Sequence, residues 1–95
     1  MDAALARTRA LESVLKERSA QDTRWGVQNH EPEIWLAILT EEVGELAQAI
    51  LERRFGGPAG AALLVEAIQV AAVGLAIVEC CERNDWMHPP EEGGE

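Results

Sequence analysis

Between Leu63 and Val78 the chain carries one charged residue, Glu66, in a run that is otherwise apolar or small. A helix that is apolar around most of its circumference has to be covered on most sides. This run is short of the roughly 20 residues that a membrane span needs. Glu66 and Gln69 would add unfavourable increments near its middle. The expectation is therefore a central helix covered by other helices, with no membrane partner. A chain of 95 residues forms one small domain with a limited core, so association of several copies is expected to complete the cover.

Three helices are expected. The first runs roughly from Asp2 to Ala20, with Ala4, Leu11, Val14 and Leu15 as its apolar stripe and Glu12–Lys16 as an i,i+4 pair on the wet side. Asp22 to Glu31 has no regular period and reads as a connection. The second helix begins near Pro32, which suits a first turn, with Glu31 and Glu33 at the positive end of the dipole. Phe55-Gly56-Gly57-Pro58 stops it, and Arg53 and Arg54 fall in its last turn. The third runs roughly from Ala59 to Asn84. Its Ala62, Ala67, Ala71, Ala72, Gly74 and Ala76 allow close helix approach. Asp85 to Glu95, with Pro89-Pro90 and Gly93-Gly94, reads as a loose tail. The fold class is all-α: a single domain over residues 1–95, cored at about 24–84, as a small three-helix bundle that oligomerisation completes into a four-helix core.

Two acidic clusters interrupt the apolar helices, Glu41-Glu42-Val43-Gly44-Glu45 and Glu66-Ala67-Ile68-Gln69. Glu42 with Glu45, and Glu66 with Gln69, are i,i+3 pairs, each on one helix face. Carboxylates on apolar helices need a partner, because an unpaired buried charge is costly. A run of Glu on a helix is most often a solvated face. Here the flanks are apolar, and the two helices are joined by a short turn, which makes them spatial neighbours. Glu45 lies about ten residues before that turn and Glu66 about eight after it, so the clusters reach similar heights. A hard divalent cation, magnesium above all, is the natural partner for such oxygen donors.

The formal net charge of −9, from 17 acidic and 8 basic residues, argues against broad binding to a nucleic-acid backbone. It leaves room for a nucleotide held through a metal. Cys80 and Cys81 are adjacent and cannot easily bridge each other. They read as reduced apolar residues of a cytoplasmic protein, and no zinc-binding spacing is present. The N-terminal twenty residues alternate charge and apolarity, unlike a secretory signal.

Glu41-Glu42-x-x-Glu45 followed about twenty residues on by Glu66-x-x-Gln69 resembles the MazG-like, all-α nucleoside triphosphate pyrophosphohydrolases, whose signature is EExxE followed by ExxD. The string from Trp35 through Glu45 to Ala49, and Val70-Ala71-Ala72-Val73, extend the likeness over about residues 24 to 82. The resemblance implies hydrolysis of a nucleoside triphosphate between its α and β phosphates, giving the monophosphate and pyrophosphate. It implies magnesium, with manganese as a substitute, held by Glu42, Glu45, Glu66 and the residue at 69. It gives Glu41 the role of orienting or deprotonating the attacking water, or of supporting the ligand shell. The chain departs from the signature at Gln69, which offers a carbonyl oxygen without charge. A helical binding or regulatory module that has lost turnover is therefore the alternative reading. A carboxylate-bridged di-iron bundle would use Glu-x-x-His pairs, and neither cluster has a His three residues on.

Trp25 and Asn29 are candidates for holding a base, by stacking and hydrogen bonding, against the plainer reading of a packed Trp and a turn-forming Asn. Arg53 and Arg54 would reach phosphates across a subunit interface of a homodimer or homotetramer, or simply answer the helix dipole. Trp35 is expected in the core, His30 as a capping or surface residue, and Trp86 and His88 over the end of the bundle.

Overall fold

The structure, a computed structural model, describes residues 1–86. These form three helices and no strand: α1 (Ala3–Trp25), α2 (Pro32–Phe55) and α3 (Leu63–Asn84), with a 3-10 turn over Pro58–Ala62 leading into α3. The fold is all-α.

The helix ends follow local chemistry. Asp2 caps α1, its Oδ1 accepting from the Leu5 amide at 2.8 Å. Gly26, at φ 73°, ends α1 with its amide on the Asp22 carbonyl. Pro32 opens α2, Glu33 lies in its first turn and Arg53 and Arg54 in its last, and Gly56 at φ 93° closes it. The Ala59 amide then donates to Glu52 Oε1 at 3.1 Å, which ties the turn back onto α2. Gly60 is buried there against the Arg53 backbone; a Cβ at Gly60 would lie 2.7 Å from Arg53 N and Cα.

Helix α3 lies between the other two. Both α1 and α2 pack on it, and the α1 and α2 backbones do not pair. The buried core is small: Trp35, Ala49, Ala72, Val73, Ala76 and Cys80. Ile38 and Ile77 pack against its Trp35–Ala76–Cys80 part.

Two expectations change at α1. It runs to Trp25 rather than Ala20, because the residues beyond the apolar stripe find polar partners on the helix and across it. Of the expected stripe only Val14 is covered: Ala4 is exposed, and Leu11 and Leu15 are each 57% exposed. Half-buried Val14 is joined at the covered face by Arg18 and Gln21, both buried. Arg18 Nε and Nη2 donate to the two oxygens of Glu79 on α3 at 3.1 and 2.6 Å, and Nη1 donates to Gln21 Oε1. Among the described residues the ion pairs are Arg18–Asp22, Arg18–Glu79 and Arg24–Glu17; the expected Glu12–Lys16 pair is not formed.

Much apolar surface stays open. Leu36, Val43 and Ile50, seven residues apart along α2, are each between 46% and 65% exposed. Leu64, Ala71 and Val78 repeat that spacing, exposed, along α3. The radius of gyration is 16.1 Å, against about 12 Å for a compact domain of this length. Pro58–Asn84 is long and apolar enough to cross a membrane by length and composition, with mean hydropathy 2.3 over a window of which 17% is buried. Trp86 is exposed; His88 and most of the expected tail lie outside the described residues.

Candidate metal centre

Glu42 and Glu45 stand one turn apart on α2, and Glu66 lies in the first turn of α3. The Gly56–Ala62 turn folds the two helices together and sets them level. Each of the three offers a carboxylate oxygen, and these oxygens all lie within 4.8 Å of one another. Glu42 and Glu66 are half-buried and Glu45 is exposed.

The electrostatics are unfavourable as they stand. Glu42 Oε2 and Glu66 Oε2 are buried and have no hydrogen-bond partner. None of the ion pairs among the described residues includes Glu42, Glu45 or Glu66. Burial raises the Glu42 carboxyl above its ordinary value, and the charges of Glu45, Glu66 and Glu41 raise it further. Burial, then the charge of Glu45, does the same to Glu66. Desolvation and like charge act in one direction here. A divalent cation would supply the absent partner to both buried oxygens at once. The donor set is all oxygen and anionic, which fits magnesium or manganese rather than a soft metal.

Gln69 stands one turn past Glu66 on α3. It is half-buried and lines a groove of about 290 Å³ between α1 and α3, with Ser13, Lys16 and Glu17. Three residues of helix turn a side chain by about 60°, and α3 has a neighbour on each side. Glu66 joins the α2 carboxylates, and Gln69 also borders the α1 groove.

Glu41 is exposed, and with Glu42, Ile38, Trp25 and Gln28 it lines a cavity of about 220 Å³. Trp25, at the end of α1, is 57% exposed, with the Arg24 guanidinium 4.5 Å from its ring centre. Asn29 is occupied: its Oδ1 accepts from Arg83 Nε and from Asn84 Nδ2, both at 3.0 Å. Arg53 and Arg54 are exposed, Arg54 over the Phe55 ring at 5.9 Å. Arg53 lies eight residues past Glu45, about 12 Å along the helix, so neither arginine joins the carboxylates within one chain.

Sequence reasoning did not single out Gln28, Arg18 or Glu79. Gln28 sits in a connection without period. Glu79 had a signal, a carboxylate directly after the apolar run, and Arg18 is its answer. His30 is half-buried rather than on the surface, its ring edge-on to Trp35 at 4.8 Å. His30 Nε2 and Trp35 Nε1 are both buried without a protein partner, so the pair carries unmet hydrogen-bonding capacity. No known family model matches the chain, and no curated protein or solved structure matches it either.

Proposed function

We propose that this chain is a cytoplasmic, metal-dependent hydrolase that converts a nucleoside triphosphate to the monophosphate and pyrophosphate. The observation that carries the reading is the trio Glu42, Glu45 and Glu66, with two buried oxygens that no protein group satisfies. The sequence resemblance to MazG-like pyrophosphohydrolases supplies the reaction.

Glu42, Glu45 and Glu66 would hold magnesium. When bound, the ion neutralises phosphate charge and assists activation of water. Glu41, beside Glu42 on the cavity wall, orients the attacking water or takes its proton. Positioning and charge complementarity do most of the work in transfer at phosphorus. The exposed heptad-spaced residues on α2 and α3 support a homodimer or homotetramer with a four-helix core. Glu66 and the Arg18–Glu79 pair on α3 argue for helix cover rather than lipid.

One observation favours a second reading, a nucleotide-binding or regulatory module without turnover. The trio lacks the fourth carboxylate of the family signature, and Gln69 lines the α1 side of α3. Pyrophosphate release across a nucleotide panel with magnesium or manganese decides between them. Release that depends on the metal and disappears in Glu66→Gln supports the hydrolase. Metal-dependent nucleotide binding with no release supports the module.

A further inference from the structure

The α1–α2 connection is stapled to the end of α3. Arg83 Nη2 donates to the Gln28 carbonyl at 2.8 Å, and Arg83 Nε donates to Asn29 Oδ1 at 3.0 Å. Asn84 Nδ2 donates to the same Asn29 oxygen at 3.0 Å, and to the Cys80 carbonyl at 2.8 Å. An amide oxygen has two lone pairs, and both of Asn29's are spoken for. Asn29 therefore holds the connection and does not read a ligand with that oxygen.

The clamp fixes the wall of the cavity beside the carboxylates. Its five lining residues divide by chemistry. Trp25 gives an aromatic surface with a single N–H donor, Ile38 an apolar one, and Glu41 and Glu42, when ionised around a cation, are acceptors alone. With both carboxylates ionised, Gln28 is the lining residue whose side chain both donates and accepts. A flat heteroaromatic group that stacks on Trp25 and presents a hydrogen-bonding edge matches this set. A nucleobase is such a group, and every base offers a π-face to an aromatic side chain. A nucleotide with its phosphates at the Glu42–Glu45–Glu66 centre would carry its base to the neighbouring cavity, since Glu42 belongs to both.

We infer that Gln28 is the specificity-determining residue for the base, stacked on Trp25, and that Asn29, Arg83 and Asn84 are positioning residues that hold Gln28 in place. The inference rests on the nucleotide reading of the site and deepens it. A side chain that hydrogen-bonds a base edge penalises the wrong base through an unmet donor or acceptor. Stacking on Trp25 adds affinity that every base shares.

The test is calorimetric titration of the four nucleoside α,β-methylene triphosphates into the full chain with magnesium, so that binding is read without turnover. The wild type should separate its best from its worst base by about tenfold or more in Kd. Gln28→Ala should shrink that ratio to within about threefold. Trp25→Ala should weaken all four by about tenfold and keep their order. Arg83→Ala should shrink the ratio as Gln28→Ala does, while magnesium affinity stays unchanged; Arg83→Lys, which cannot make the paired contact, should restore little. Equal weakening of all four analogues by Gln28→Ala, or no effect, overturns the inference. Discriminating binding with no pyrophosphate release from the natural triphosphates keeps the inference and ends the hydrolase reading. An active wild type whose base preference survives Gln28→Ala does the reverse. A wild type that binds no analogue overturns both.

Discussion

Glu42 on α2 and Glu66 on α3 each bury one carboxylate oxygen, Oε2, with no hydrogen-bond partner, and Glu45 completes a trio with them within 4.8 Å. Both carboxyls are raised above their ordinary value of 4.5. The folded chain therefore holds protons there that the unfolded chain has released. Their contribution to stability is full below pH 4.5 and is lost as pH rises through the raised values. The metal-free protein should melt higher as pH falls from about 7 towards 5, by about 4–8 °C for each kcal/mol gained. Saturating magnesium should flatten this slope, as should Glu42→Gln with Glu66→Gln. A melting series against pH, with and without chelator, checks it; the same flat profile in all samples contradicts it.

Glu42→Gln, Glu45→Gln and Glu66→Gln should each reduce metal-dependent pyrophosphate release by at least about 100-fold. Helix content should be unchanged by far-UV circular dichroism. Full activity in all three would remove the trio from the chemistry.

Gln69→Asp supplies the last acidic residue of the signature that the chain resembles, at a position that lines the α1 groove with Lys16 and Glu17. If residue 69 serves the α1 groove and not the ion, magnesium affinity should stay within about twofold of wild type. Tightening of tenfold or more would put residue 69 in the ligand shell after all.

Gly60→Ala should cost about 1–3 kcal/mol in urea unfolding. Its Cβ would meet the Arg53 backbone at 2.7 Å, and backbone cannot move aside cheaply. A neutral result would mean that the turn opens more readily than its packing suggests.

Val43→Glu places a charge at the middle of the exposed Leu36–Val43–Ile50 seam. Light scattering should show the wild type above the 10.4 kDa of one chain and the variant shifted towards it. A wild type that is monomeric at micromolar concentration sinks the oligomer.

The α2–α3 hairpin was legible because its signals are local. Pro32, the Arg53-Arg54 pair and the Gly56-Gly57-Pro58 stop act within a turn of where they stand, and the apolar run makes α3 unmistakable. The level placement of Glu45 and Glu66 followed from counting out from the turn. The seating of α1 was not legible, since periodicity counts apolar residues and α1 docks through Arg18 and Gln21. Gln69 depended on the same unknown: its spacing from Glu66 names a shared helix side, and only the position of α1 shows that it also borders a groove there. Gln28 and Asn29 lie in a connection whose shape is set by Arg83, more than fifty residues away, and no local pattern encodes that distance.

The α1 backbone packs on α3 and not on α2, and the Arg18–Glu79 pair ties α1 to α3. The carboxylate trio lies wholly on the α2–α3 hairpin, while the cavity needs Trp25 from α1. Warming should therefore unfasten the molecule in two stages, α1 peeling away at lower free energy than the hairpin opens. If the trio holds an ion and the cavity a base, the two would fail at different temperatures, and a protein held between them would still grip the ion while no longer telling one nucleotide from another.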